Sequence, residues 1–307
     1  MKVAAILSFL VALVEIATTD AFATPEGGWK TRPLIPELST APEAEAEAGA
    51  GAGAGAKKIE AKETKKREKW DLGRFISQSS KFVSLPKPPL PGFNTPITVA
   101  PGDTLWSSAT ATASENKKQK QKQKPLFGFA PLDDVVMGGV SSSSFQNGIW
   151  SGTVSDSNSG GFIGIRSTPF SNSLNMQSCQ GIELTVKGGE GKVFKAVVRD
   201  STDFNGICWT AAFGGTKNKN KLKGIGGLQL GSIFGANVDV NTERTVRIPF
   251  EDLTPTIFAR TVPNQSLNKR TIEGFQIAFS KFLFDGELNE AFELGDFELE
   301  LVQVKAY

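Results

Sequence analysis

The chain has 307 residues, with 34 lysines and arginines, 32 aspartates and glutamates, and no histidine. Without histidine it lacks the commonest general base, the usual partner of a nucleophilic serine and the commonest zinc ligand, and its two cysteines, Cys179 and Cys208, lack the C-x-x-C spacing of a metal or redox site. This composition disfavours hydrolases and cofactor enzymes, so we expect no catalytic residues, no metal and no cofactor, with both cysteines as small buried side chains.

Residues 1–21 follow the plan of a signal peptide. Lys2 supplies a short positive region, residues 3–14 are mostly apolar, and small residues lead into Ala21. The apolar stretch is too short to span a bilayer comfortably. The string DAFATPE that starts at Asp20 resembles the Ala-Phe-Ala-Pro junction between signal and transit peptides in algae with complex plastids, and this resemblance implies a plastid. A mitochondrial location and secretion stay open as alternatives.

Residues 22–124 are predicted to be a low-complexity, largely disordered arm. Alanine, glutamate and glycine repeats at 42–56 bury too little apolar surface to offset the entropy of ordering. Six prolines interrupt 85–101, and the lysine/glutamine run at 117–124 is typical of a solvated loop. Before Pro125 there are 18 basic and 13 acidic residues, and from there onward 16 and 19. The second part therefore lacks the broad positive face of a nucleic-acid-binding domain, and we expect no nucleic-acid partner.

Within the arm, residues 57–83 are predicted to form an amphipathic helix. Its basic start, KKREK, precedes an apolar face at helical spacing. That face consists of Leu72, Phe75, Ile76, Ser79, Phe82 and Val83. Two interpretations stay open for a helix that forms here: it docks on a partner or makes a peripheral contact with an anionic membrane, or it packs on the chain's own folded domain.

From Pro125 onward, apolar and β-branched runs separated by Gly, Asn and Ser clusters predict eight strands. They are 149–154, 162–166, 182–187, 193–199, 207–213, 245–250, 275–279 and 297–304. Alternation such as that of Trp209, Ala211 and Phe213 predicts one buried face for each strand. The last run changes phase at Val302, which indicates a β-bulge or burial on both faces. Short turns without long helices predict an all-β fold, an antiparallel β-sandwich or jelly roll, over 125–307.

Several motifs, taken in order along the chain, resemble one protein family. They are LDDVVMGGVSSSSF (132–145), WSGTVS (150–155), GGFIGIRS (160–167), KAVVRD (195–200) and TVRIPFEDLTPT (245–256). The family is the complex I intermediate-associated protein 30 domain family, and the resemblance covers roughly 125–307. It implies a galactose-binding-like β-sandwich. It also implies an assembly factor, of chaperone type, whose partners are protein subunits of a membrane-bound electron-transport complex, either respiratory complex I or a photosystem.

Two features depart from the family pattern. The aromatic first strand of the family is supplied either by LFGFAP at 126–131 or by DTLW at 103–106. Ala259 stands where the family often has glycine. A tight backbone approach at that position is therefore expected to change.

Six residues are candidate partner-binding contacts: Asp133, Asp134, Ser141, Arg166, Arg247 and Arg260. The first three, in DDVVMGGVSSS, either contact a partner or cap turns, with Met137 filling the core in the second case. The arginines either pair with acids such as Asp133 and Asp134 or recognise a client's carboxylate. A secreted carbohydrate-binding module is the alternative function, because the sandwich fold and the leader also fit it.

Overall fold

A computed structural model describes residues 71–82, 95–110, 125–214 and 242–307. All of them belong to the second of two compact units, Glu68–Tyr307. The predicted signal peptide, the basic start of the predicted helix and the lysine/glutamine run lie outside the described residues. No helix within the described ranges is long and apolar enough to cross a membrane.

The described residues form helix α1 (Leu72–Ser79), fifteen strands and several short 3-10 turns. The strands are β1 (Ile97–Thr98), β2 (Thr104–Ser107), β3 (Phe129–Pro131), β4 (Ser142–Gln146), β5 (Ile149–Val154), β6 (Phe162–Ser167), β7 (Leu174–Asn175), β8 (Gly181–Gly188), β9 (Val193–Arg199), β10 (Cys208–Gly214), β11 (Arg244–Pro249), β12 (Thr254–Ile257), β13 (Arg260–Thr261), β14 (Gly274–Ser280) and β15 (Gly295–Ala306). The 3-10 turns are Ser80–Phe82, Asp134–Met137, Ser157–Ser159 and Phe250–Asp252.

Two large sheets face each other. One has the strand order β13-β12-β10-β9-β14-β6-β3, and the other has the order β11-β8-β15-β5-β4, with β2 also pairing with β15. The described pairings within these two sheets are antiparallel, while β1 and β7 form a separate parallel pair. The all-β antiparallel sandwich predicted from the sequence is therefore confirmed.

The core lies between the sheets and is rich in aromatic rings. The ring centroids of Trp150 and Phe297 are 4.6 Å apart, and Phe279 from the opposite sheet stacks on Phe297 at 5.7 Å. The predicted alternation in β10 is confirmed, because Trp209, Ala211 and Phe213 all lie in this core. Alternate residues of the seven-stranded sheet consequently point to its outer face.

All eight predicted strands are present, and their predicted ends agree with the observed ends to within two residues. The phase change in β15 is a β-bulge, since its register against β8 slips between Leu301 and Gln303. The slip places both Leu301 and Val304 in the core. A bulged strand inserts one extra residue and so restores burial after a break in the alternation.

The sandwich begins before residue 125, which corrects the predicted start of the domain. Strand β2 pairs with β15 and carries Leu105 and Trp106 into the core, while β3 pairs with β6. Both candidate first strands, DTLW and LFGFAP, thus belong to the sandwich, one in each sheet. Strand β2 has only four residues, too few for an alternating pattern, so only the family resemblance pointed to it.

The hairpin between β12 and β13 turns on two left-handed residues. Phe258 has φ 49° and Ala259 has φ 60°. A type I′ hairpin turn needs positive φ at both central positions and favours glycine at the second. This geometry explains the glycine often found in the family at the position of Ala259, since a left-handed alanine costs roughly 1 kcal/mol.

Candidate partner-binding site

Asp134 is fully buried and joins the motif loop to the start of β6. Its Oδ1 accepts the amide of Ser141 at 2.9 Å, and its Oδ2 accepts the Ser141 hydroxyl at 2.6 Å and the amides of Gly161 and Phe162 at 2.9 and 3.3 Å. Burial raises the pKa of Asp134, while these donors lower it. The carboxylate therefore fixes the loop and β6 relative to each other.

Two glycines of the family-like motifs make room for this carboxylate. A Cβ at Gly139 would lie 2.3 Å from Cγ of Asp134, and one at Gly160 would lie 2.5 Å from its Oδ2. Any side chain at either position would overlap the carboxyl group. The glycines in DDVVMGG and GGFIGIRS are thus explained by the aspartate that they surround.

Asp133 is also fully buried, but its partners are different. Its Oδ2 accepts hydrogen bonds from Arg74 Nη2 at 3.0 Å, Gln78 Nε2 at 2.8 Å and the Ser143 amide at 2.9 Å. In return, the Asp133 amide donates to Gln78 Oε1 at 3.0 Å. Adjacent aspartates therefore hold two different elements: Asp134 holds β6 and Asp133 holds α1.

Helix α1 packs on the sandwich. Of the two interpretations of the predicted helix, the described residues therefore support packing on the chain's own folded domain. Its buried side chains are Phe75, Gln78 and Ser79, followed by Phe82 in the next turn. The predicted apolar face is partly wrong, because Leu72 is 49% exposed and Ile76 is 44% exposed. The helix is rotated relative to that face because Gln78 is buried to reach Asp133. Residues 57–70 and Val83 lie outside the described residues.

Met137 does not fill the core as expected but is 61% exposed. It ends the 3-10 turn Asp134–Met137, on which α1 packs. Together with Leu72 and Ile76, it gives this part of the molecule three exposed apolar side chains. We call these three residues the apolar patch.

Within the described residues, none of the three candidate arginines pairs with Asp133 or Asp134, and the ion-pair partner of Asp133 is Arg74. Arg247 instead pairs with Glu183 at 2.8 Å, and Arg260 is exposed on β13. Arg166 lies on β6, buried against the rings of Phe82 and Phe204. The structure thus brings Asp133, Asp134 and Ser141 together, places Arg166 beside α1, and leaves Arg247 and Arg260 elsewhere.

Arg74, Gln78 and Ser143 were not predicted from the sequence. The available signal was the spacing of Arg74 and Gln78, which are four residues apart and so share one side of a helix. Gln78 lies beside Phe75 and Phe82 on the buried face of the helix. Two hydrogen-bond donors on this side, Arg74 and Gln78, indicate that the domain surface beneath the helix carries a buried acceptor. Within the described residues, no three acidic or cysteine side chains converge in a way that could hold a metal ion.

The outer face of the seven-stranded sheet also carries buried cations. Arg199 is 2% exposed, and its Nη1 donates to Cys208 Sγ at 2.7 Å. Lys195 Nζ donates to the carbonyls of Phe282 and Leu283 at 2.7 and 3.2 Å. Burial lowers the pKa of Lys195 to about 8, and burial with the nearby charge of Arg199 lowers the pKa of Arg166 to about 9. Both free cysteines are at least partly buried.

One family match covers the motif loop and most strands of both sheets. The family profile described as complex I intermediate-associated protein 30 (CIA30) matches residues 117–301. The chain belongs to the CIA30 family. The matched segment includes Asp133, Asp134, Ser141 and Arg166, whereas α1 precedes it.

Solved structures give only a distant likeness. A family 11 carbohydrate-binding module from Clostridium thermocellum, in complex with a β-1,3-1,4-mixed-linked tetrasaccharide, matches at 10% identity, over 61% of this chain and 92% of that chain, with a TM-score of 0.35. The family 11 module of the cellulase Lic26A-Cel5E from the same organism matches at 11% identity, over 62% and 93%, also with a TM-score of 0.35. No curated protein sequence matches the chain significantly. Likeness at this TM-score supports no inference about function.

Proposed function

We propose that this protein is a non-catalytic assembly factor that binds unfinished subunits of a membrane-bound electron-transport complex. The observation that carries the proposal is the CIA30 match over residues 117–301. The described site supports it, because the motif aspartates fix a folded surface and offer no solvent-facing acid for chemistry. The leader and the DAFATPE string favour a plastid as the compartment, and residues 57–70 would supply any membrane contact.

The contact surface in this proposal is the apolar patch, formed by Leu72, Ile76 and Met137. Methionine is flexible and adapts to partner surfaces of irregular shape. By comparison, a sugar-binding face usually exposes aromatic rings. Among the described large apolar side chains, Phe258 is the one exposed ring, and it lies on the β12–β13 hairpin. A protein client therefore fits the described surface better than a glycan.

A pulse–chase experiment tests the proposal. The full chain is tagged at its C-terminus in a diatom, cells receive a short isotopic pulse, and labelled proteins that purify with the chain are identified during the chase. An assembly factor is expected to hold newly made subunits early and to lose them as the mature complex forms. Stable association with mature complexes only, or purification with glycans instead of subunits, would overturn the proposal.

The matched control is the Gly152→Ala chain, which keeps the leader and the arm. A Cβ at Gly152 would lie 2.1 Å from the Ser142 carbonyl oxygen, so this change is expected to disrupt the sandwich. Loss of subunit association in this variant assigns binding to the folded domain. Unchanged association would assign it to the arm and contradict a role for the described surface.

A further inference from the structure

Arg166 is a buried cation with no described partner for its N–H groups. Its side chain is 8% exposed, yet no hydrogen bond or ion pair connects its guanidinium to any residue in the described ranges. Its neighbours are two rings: Cζ lies 5.7 Å from the centroid of Phe82 and 5.0 Å from that of Phe204. Aromatic rings attract the charge, but they do not replace the acceptors that five N–H donors need.

A second guanidinium lies close to the first on the same face. Arg199 on β9 donates to Cys208 Sγ and to the carbonyl oxygens of Asp203 and Phe204, but its Nε is buried without an acceptor. Strand β14 runs between β9 and β6, and its residue opposite Arg199 is Gly274. A Cβ at Gly274 would lie 4.0 Å from Cβ and Cδ of Arg199, so the missing side chain leaves room for this arginine, while Gln276 is the β14 residue opposite Arg166.

Two buried guanidiniums without a carboxylate partner destabilise a folded chain. Burying a charge is costly unless an opposite charge and hydrogen bonds compensate for it. Burial, and then the nearby charge of Arg199, lowers the pKa of Arg166 to about 9, although Cys208 and Asp203 act in the opposite direction. Proteins retain such locally unfavourable groups mainly at functional sites, and a guanidinium edge matches the two oxygens of a carboxylate.

We propose that Arg166 and Arg199 bind a carboxylate of a client polypeptide. The inference rests on the proposed function and names the chemistry by which the client is recognised. A polypeptide source is favoured because the adjoining carboxylate of Asp133 already binds the Arg74 and Gln78 side chains of a helix. This face therefore accommodates peptide side chains beside Arg166.

Phe82 covers the proposed site. It follows α1 directly and packs in a small cluster with Ala130 and Leu132 that is separate from the main core. We expect a carboxylate to reach Arg166 fully when this ring moves aside. The observed affinity should then be reduced by the fraction of molecules in which the site is open.

Binding of two matched small molecules to the purified full chain tests the proposal. N-acetylglutamate amide carries the carboxylate of a client side chain, and N-acetylglutamine amide is its neutral counterpart. The dependence of the unfolding free energy on ligand concentration gives each dissociation constant. We expect the glutamate compound to bind, the glutamine compound not to bind at the same ionic strength, and Arg166→Gln to weaken binding at least about tenfold.

Three further variants separate the outcomes. Arg247→Gln removes an exposed arginine that pairs with Glu183 and should leave binding unchanged. Arg166→Lys keeps the positive charge but lacks the planar guanidinium that binds two oxygens at once, so it should recover part of the affinity. If Arg166→Gln does not fold, Arg166→Lys takes its place in the comparison with wild type. Phe82→Ala should bind at least about twofold more tightly because it opens the site.

Equal binding by wild type and Arg166→Gln, or equal binding of both small molecules, would overturn the proposal. Inorganic phosphate serves as a third probe. Stabilisation of the chain by phosphate, but not by the glutamate compound, would also overturn the proposal and would indicate a phosphate ligand for the two arginines. No client is present in this experiment, so its failure leaves the assembly role intact. Conversely, a failed pulse–chase experiment leaves the carboxylate site standing.

Discussion

At the residue scale, the Asp134 carboxylate satisfies four donors from two segments of the chain. Asp134→Asn places an amide group against some of these donors, so it should lower the unfolding free energy by about 3 kcal/mol. Urea unfolding of the full chain measures the change. Asp156→Asn, at an exposed aspartate nearby, is the control and should stay within about 0.5 kcal/mol of wild type. Equal effects of the two substitutions would contradict the structural role of Asp134.

Arg166 gives a residue-scale prediction of opposite sign. If this arginine is kept for a ligand rather than for the fold, replacing it with an apolar side chain removes a buried unpaired charge. Arg166→Met should therefore raise the unfolding free energy of the ligand-free chain by about 1 kcal/mol. The exposed Arg247→Met should change it by less than about 0.5 kcal/mol. A clear loss of stability in Arg166→Met would mean that its contacts with the two rings stabilise the fold.

The sequence identified Asp133, Asp134 and Ser141 as special but did not identify their partners. Gly160 and Gly161 come about 27 residues after Asp134, and Arg74 comes 59 residues before Asp133. A local pattern carries no information about which distant donor meets a buried acceptor. For the same reason, the sequence did not show which arginine pairs with Asp133.

At the element scale, Gly152 allows β4 and β5 to pair closely. A Cβ there would lie 2.1 Å from the Ser142 carbonyl oxygen and 2.6 Å from Cα of Ser143. These are backbone atoms, which cannot move aside as readily as the end of a side chain. Gly152→Ala should therefore lower the unfolding free energy by about 3 kcal/mol or more. Gly128→Ala is the matched control, since its Cβ would meet only the Thr168 hydroxyl, at 3.7 Å. Thermal unfolding of both variants should show a large loss for the first alone.

Helix α1 shows why an amphipathic pattern predicts an element better than its orientation. Phe75, Ser79 and Phe82 were correctly assigned to the buried face, while Leu72 and Ile76 were not. Hydrophobic periodicity counts apolar side chains and cannot anticipate that Gln78 will be buried by a hydrogen bond to Asp133. The hydrogen-bonded side chain of Gln78 therefore determines which face of α1 is buried.

At the scale of the whole molecule, Lys195 makes stability depend on pH. Burial lowers its pKa from 10.5 to about 8. Between these values the folded chain loses a proton that the unfolded chain keeps, so the contribution of Lys195 to the unfolding free energy rises as pH increases. Relative to Lys195→Met, wild type should gain about 3 kcal/mol between pH 7.5 and 10.5. Chemical unfolding at a series of pH values measures this difference.

The control for this pH dependence is Lys187. Its pKa is raised by Glu300 and Glu243, so the stability it contributes should be lost as pH increases. Relative to Lys187→Met, wild type should therefore change little up to pH 10.5 and lose stability only above that pH. A flat difference for Lys195→Met would contradict burial of a charged lysine on the outer face.

The fold class was predictable because eight strands carry their own alternating or apolar patterns. The strands that were missed are short or lack such a pattern. Strand β4, with the sequence SSSFQ, alternates between half-buried and exposed and contains a single large apolar residue. These elements gain their stability from neighbouring strands rather than from local sequence. The sheet order likewise depends on long-range pairing that no single segment specifies.

The central claim is that the surface beside the motif aspartates contacts newly made subunits of an electron-transport complex. A photo-crosslinking residue placed at exposed Met137 in the full chain tests it most directly, with the same residue at exposed Ile149 as the control. After a short isotopic pulse, we expect crosslinks from position 137 to newly synthesised membrane-complex subunits, and few from position 149. Equal crosslinking from both positions, or crosslinks to mature complexes only, would contradict the account.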